Sequence, residues 1–203
     1  FHEVVDLSTR FSSFSVSQSI AEPFMSLTVG MTDAVNILER LGQNGLQGEE
    51  FVKLKFYNPG RQNNKREYVD LLFHVVSITP VSTDNSNSRN FYNLLCHTKE
   101  KIVCDLSVIN KHFSGTAADA AQSVWENNLL GHEKYKFLKT TKGIQWDDRE
   151  FFNSASDGVD DFIVPGFQVH NAMGWLAAKA YGGTQYPASA YCFFENNWGF
   201  HFC

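Results

Sequence analysis

Residues 161–203, DFIVPGFQVHNAMGWLAAKAYGGTQYPASAYCFFENNWGFHFC, contain the switch of apolar period that decides the fold. Phe162-Ile163-Val164 is an apolar run that Pro165 and Gly166 interrupt, so a helix is expected to open there. Val169, Ala172, Met173, Leu176, Ala177 and Ala180 recur at helical spacing and give this helix one small, apolar face. Gly182-Gly183 offers positive φ and is the expected stop. Beyond it, Ala190 to Glu195 and Phe200 to Cys203 flank Asn196-Asn197-Trp198-Gly199, the pattern of two strands joined by a tight hairpin. Such a unit packs and presents surface; no residue in it is arranged for chemistry.

Upstream the period is two. Phe14, Val16 and Ile20 alternate with serines from Phe11 to Ile20, and Phe24 to Val29 reads as a second strand. Thr32 can cap a short helix with Ala34, Val35, Leu38 and Leu41 on one side and Gly42 as its stop; Gln43 to Gly48 is a turn. Phe51 to Tyr57 sets Val52, Leu54 and Phe56 against Lys53 and Lys55, a half-exposed antiparallel strand. Tyr68 to Ile78 is apolar on both faces, through Leu71, Leu72, Phe73, Val75 and Val76, so it is central or covered by another subunit. Polar loops are expected over Asn58 to Arg66 and Pro80 to Arg89, with Phe91 to His97 a strand. Strands around one helix describe a small antiparallel β-barrel or sandwich over residues 1–111.

Past Lys111 the character changes to an α/β domain over residues 112–203, making the whole α+β. Thr116 with Asp119 forms a capping box ahead of Ala117, Ala120, Ala121, Val124 and Trp125, and Gly131 closes that helix. Lys134 to Lys139 is a further strand, and Gly143 to Asp161 a long acidic loop.

Composition excludes several classes. A net charge of −5 argues against a general nucleic-acid binder, and 43% hydrophobic residues suffice for a sizeable core. Eighteen phenylalanines suit β-rich packing and large interfaces. No apolar run approaches the roughly 18 residues that span a bilayer, so stable membrane insertion is not expected. Cys96, Cys104, Cys192 and Cys203 show neither CxxC spacing nor a framework, and free, buried thiols in a reducing compartment are expected. The chain starts at Phe1 and stops within a strand-like run, as a piece of a longer protein does.

Candidate chemistry is sparse. Asp147, Asp148, Glu150, Asp157, Asp160 and Asp161 could gather a hard cation, but their spacing fits no calcium loop and an exposed acidic loop gives the same text. Lys134-Tyr135-Lys136-Phe137 with Lys139 and Lys142 interleaves bases and aromatics, as single-strand binders do and as two-faced strands also do. Cys96 cannot pair easily with His97, because neighbours on a strand point to opposite faces; His112 is the other imidazole considered as its base. His170 and His201 read as packing or surface residues. Gly42, Gly45 and Gly48 lack the strand that a phosphate loop follows. No catalytic, cofactor or metal site is expected.

The proline-led helix Ala172-x-x-Trp175-Leu176-Ala177-x-x-Ala180, followed by Phe193-Phe194-Glu195-Asn196 and Gly199-Phe200-His201-Phe202, resembles the baseplate central hub proteins of contractile-tailed, T-even-like bacteriophages. Gln18-Ser19-Ile20-Ala21-Glu22-Pro23-Phe24 and Gly48-Glu49-Glu50, with the strands after them, come in the same order, so the likeness runs from about Ser13 to Cys203. The resemblance implies a tail-tube-like domain and an inserted α/β accessory domain. It also implies a non-enzymatic homotrimeric ring between tail tube and central spike, assembled in the host cytoplasm and carried in the virion. Two tube-like domains per subunit imitate the six-fold tube, and the second is expected beyond Cys203. Implied partners are the spike protein, tail-tube or tube-initiator proteins and baseplate wedge proteins, with DNA passing through a neutral or acidic lumen without specific binding. Leu71, Phe73, Val75, Glu49, Glu50 and Trp198 are the expected interface positions. The alternatives are another tube-family protein, or a baseplate cell-wall hydrolase that uses the acidic loop.

Overall fold

Period-two alternation builds five antiparallel strands in the first half of the chain: β1 (Phe11–Ser17), β2 (Ser26–Asp33), β3 (Phe51–Tyr57), β4 (Tyr68–Thr83) and β5 (Asn90–Thr98), in the order β1-β2-β5-β4-β3. The computed structural model describes residues 6–33, 50–57, 68–83, 90–130, 142–146, 160–180 and 190–203. The helix expected after Thr32 and the loops after Gln43 and Asn58 lie outside these residues. Two compact units result: Phe1–Ser17 with Ser26–Thr98, and Gln18–Met25 with Lys99–Cys203. They part at Thr98/Lys99, ahead of the boundary expected at Lys111, because Val108–Gly115 pairs with Asp160–Gln168 of the second unit.

Register puts most of the apolar residues of the first unit on one face. Val16 pairs with Leu27, Leu27 with Cys96, Cys96 with Val75, and Leu71 with Leu54. In a flat sheet the edge strands β1 and β3 would lie about 19 Å apart, four steps of ~4.8 Å. Phe14 of β1 and Phe56 of β3 nevertheless have ring centroids 5.5 Å apart. The sheet therefore curls into a half-barrel, with its apolar face inside. β4 is longer than the sequence pattern predicts, continuing through Pro80 to Thr83 in place of the expected loop. Register shifts at Val75/Ser77 and Pro80/Ser82 explain this, since an irregular ladder tolerates a residue without N–H.

The second unit mixes short elements. Helix α1 (Glu100–Leu106) and strand β6 (Val108–Gly115) carry no strong pattern and went unread in the sequence. Helix α2 (Ala117–Val124) starts with the expected capping box: Thr116 Oγ1 accepts from the Asp119 N–H at 3.1 Å, and Asp119 Oδ2 accepts from the Thr116 N–H at 3.1 Å. It runs on as a π-helical turn, Trp125–Leu130. There Asn127 and Asn128 donate side-chain amides to the Ser123 and Val124 carbonyls, at 2.7 and 3.1 Å, which satisfies groups that a wider turn leaves short.

β7 (Ile144–Trp146) and β8 (Asp160–Gln168) occupy both ends of the stretch expected to be loop. β8 also runs through Pro165-Gly166, so the helix opens later than the proline suggested: α3 is Val169–Lys179. A register shift opposite Ile109/Asn110 and the positive φ of Gly166 absorb the proline. α3 ends on Ala180, whose extended backbone closes it before the glycine pair expected to do so; that pair lies outside the described residues. β9 (Phe193–Asn196) and β10 (Gly199–Phe202) form the expected hairpin, and β7 adds to β10 in parallel. Gly199 is required there. Its φ is +147°, and a Cβ would meet the Gly143 carbonyl oxygen at 2.6 Å.

Val169, Ala172, Met173, Leu176 and Ala177 are all buried on α3, as its spacing predicted, in a core with Val124, Trp125, Leu129, Phe200 and Phe202. Trp125 and Phe200 have ring centroids 5.0 Å apart, and Phe193 stacks on Phe200 at 5.5 Å. The described fold is thus α+β, mainly antiparallel, with three helices among the described residues.

Candidate interaction surfaces

The face of the curled sheet opposite its apolar side has two contrasting areas. Over β1, β2 and β5 it presents Ser13, Ser15, Ser17, Ser26, Thr28, Gly30, Thr32 and Asn93, with Phe91 and His97 of β5 among them. These three strands contain no Lys, Arg or Glu, and their one Asp, Asp33, is buried and faces Arg10 at 3.8 Å. Toward β4 and β3 the same face turns apolar: Leu95, Val76, Leu72 and Phe51 are 38%, 48%, 40% and 45% exposed. Phe51 packs edge-on against His74, 5.5 Å between ring centroids. Lys53 and Asp70 pair at 3.1 Å on the outside.

The expected interface positions fall in different places. Leu71, Phe73 and Val75 turn inward, with Phe73 fully buried, while Leu72 and Val76 of the same strand turn outward. Glu50 is half-buried, its carbonyl accepting from the Val75 N–H at 2.9 Å; Glu49 lies outside the described residues. Trp198 is 80% exposed at the tip of the β9–β10 hairpin, where Asn196 Oδ1 accepts from its N–H at 2.9 Å.

Among the described residues, the candidate chemical groups lie apart. Cys96 is buried on the inner face, and burial pushes its thiol up to about 11, the opposite of what a nucleophile needs. His112 is exposed and faces Asp161 at 3.4 Å. Of the acidic stretch, Asp147, Asp148, Glu150 and Asp157 lie outside the described residues, and no cluster of three potential metal ligands occurs among those described. Lys134 to Lys139 also lie outside them. His170 is largely buried against Phe24, at 5.6 Å between rings, and burial lowers its pKa; Asp105 at 3.8 Å opposes that shift. His201 stacks on Phe194, ring centroids 4.9 Å apart. No described helix is long and apolar enough to cross a membrane.

One feature escaped sequence reasoning. Glu195 is fully buried, accepts from the Met25 N–H at 3.1 Å and pairs with Lys142. It ties the hairpin to the segment before β2 and to the strand start at β7, both within the second unit. The alternation Phe193-Phe194-Glu195, with Phe193 facing inward, already placed this carboxylate on the buried side.

No protein-family model and no curated protein matches this sequence. Among solved structures, the 43 kDa tail protein of prophage MuSo2 from Shewanella oneidensis is similar at a TM-score of 0.49 and 10% identity, covering 92% of this chain and 48% of that one. A tail protein from Neisseria meningitidis gives 0.46 and 10%, covering 95% and 46%. An E. coli component of the type VI secretion system, described as structurally similar to T4 bacteriophage tail proteins gp27 and gp5, gives 0.45 and 6%, covering 95% and 43%. The chain therefore spans about half the length of these structures.

Proposed function

We propose that this chain is a structural subunit of a phage-tail baseplate hub, a trimeric ring that joins the tail tube to the central spike and lets DNA through. The observation that carries the reading is the divided outer face of the curled sheet. Phosphate contacts are dominated by Lys and Arg, so a hydroxyl-rich surface without either lets a duplex pass without holding it. The apolar area of Phe51, Leu72, Val76 and Leu95 beside it suits burial against a neighbouring subunit. The order of motifs that resembles hub proteins points the same way.

In this reading the subunit contact uses the outward residues of β4, Leu72 and Val76, in place of the inward Leu71, Phe73 and Val75. Glu50 and the exposed Trp198 remain candidate contacts with neighbours, and spike, tube-initiator and wedge proteins are the partners.

Light scattering on the full-length protein, alone and with its trimeric spike, tests this. A trimer that takes up the spike is expected, and Leu72→Asp with Val76→Asp should reduce it to monomer. A stable hexamer would favour a tube-type ring instead, and a monomer indifferent to the spike would overturn the proposal. On the lumen side, Ser15→Lys with Thr28→Lys should create salt-sensitive DNA retention that the unmodified ring lacks.

A further inference from the structure

Two of the four cysteines are not buried as the composition suggested: Cys192 is half-buried and Cys203 exposed. They face each other. The Cys192 N–H donates to the Cys203 carbonyl at 2.7 Å, and the Cys203 N–H donates to the Cys192 carbonyl at 3.2 Å. Reciprocal bonds of this kind define a directly opposed, hydrogen-bonded pair, one step beyond the Phe193–Phe202 pair of the β9–β10 ladder. Directly opposed residues point to the same face, with Cα atoms about 5.5 Å apart. A disulfide needs about 4.4–6.8 Å between its Cα atoms and about 3.5–4.5 Å between its Cβ atoms, so the Cα spacing suits one and the two Cβ atoms must draw together by about 1 Å to close it. That face is the outer one. Phe193, Glu195, Phe200 and Phe202 point into the core, while Phe194 and His201 lie beside the two cysteines on the accessible side.

We propose that Cys192 and Cys203 are a dithiol–disulfide pair that covalently ties the two strands of the β9–β10 hairpin together when a small-molecule disulfide of the oxidised-glutathione class is present. The Cys203 thiolate attacks one sulfur of that disulfide, whose S–S bond breaks and releases one small thiolate. Cys192 then loses its proton to solvent, and its thiolate attacks the Cys203 sulfur, forming the Cys192–Cys203 bond and releasing the second small thiolate. The two protein sulfurs are oxidised, and one small disulfide is reduced to two thiols. Cys96 and Cys104 stay out of the exchange because both are fully buried and burial raises both thiols, Cys96 to about 11 and Cys104 well above its ordinary value.

The test titrates the reduced, full-length chain with oxidised glutathione. Before oxidation, an aromatic disulfide reagent should label Cys192 and Cys203 rapidly in the native protein, and afterwards neither. The mass should fall by two hydrogens, and peptide mapping should recover Cys192 linked to Cys203. In Cys192→Ser, Cys203 should instead keep a glutathione adduct. Adducts accumulating on both cysteines of the unmodified chain, a link to Cys96 or Cys104, or a link between two molecules would overturn the proposal. Mapping on the unmodified chain keeps the outcome independent of how the variant folds.

Discussion

The first unit is one sheet that turns most of the large apolar side chains of its ladder to a single face, whereas the second collects its core from three helices, five strands and the segment around Phe24. The sheet leaves a broad outer face of serines, threonines and a few exposed apolar residues. The second unit converges on Trp125, Met173, Leu176, Phe200 and Phe202, all essentially buried, and locks its hairpin with the Glu195 carboxylate. The difference teaches where each unit can act. A curled sheet can present surface to a neighbour without losing its interior, while a core made of short pieces depends on each piece staying in place.

That contrast can be broken by truncation. Trp125→Ala should cost about 3–5 kcal/mol in urea unfolding, since it opens a large cavity against Phe200. Leu72→Ala, on the exposed face of β4, should shift stability by no more than about 0.5 kcal/mol and act on association instead. Equal costs would mean that the outer face of the sheet is as tightly held as the helical core.

Glu195→Ala is expected to cost about 3 kcal/mol, because it removes the buried carboxylate that faces Lys142 and leaves the Met25 N–H without its acceptor. Glu195→Gln, which keeps an oxygen for that N–H, should cost less; hydrogen exchange at Met25 separates the two. A smaller effect, about 1 kcal/mol, is expected from Thr116→Ala, read as a fall in the urea midpoint, since it removes one half of the α2 capping box.

The mildest prediction concerns pH. Burial holds the His170 pKa below its ordinary 6.5, with Lys101 adding to the shift and Asp105 opposing it. As pH falls, the unfolded chain takes up this proton before the folded one does. The contribution is therefore complete above pH 6.5 and is lost as pH drops through the lower, folded value. Urea midpoints measured across that window should decline, and His170→Gln should flatten the decline. A slope unchanged by the substitution would assign the effect to other groups.

Much of the architecture was legible because alternation and helical spacing are local. β3 falls on Phe51 to Tyr57 as read, and the α3 face and the Thr116 capping box follow directly from residue spacing. Prolines misled at two places. Pro80 and Pro165 look like breaks in the sequence, but both sit inside strands beside register shifts, which depend on a partner strand far away in sequence. α1 and β6 had no reading because Glu100 to Gly115 carries no clear period; their burial is imposed by α3 and β8. The interface residues named on β4 were apolar for a different reason, the interior of the half-barrel.

What the sequence determined by itself was therefore the set of faces: which residues alternate, which recur every third or fourth place, and which hydroxyls and amides can cap or turn the chain. Those follow from backbone geometry over a few residues. Only the tertiary structure decided that the sheet curls until Phe14 meets Phe56, that Glu195 lies buried against Lys142 and Met25, and that Cys192 opposes Cys203. Each of these joins residues through the pairing of whole strands, and the free energy that selects the pairing belongs to the packed unit as a whole.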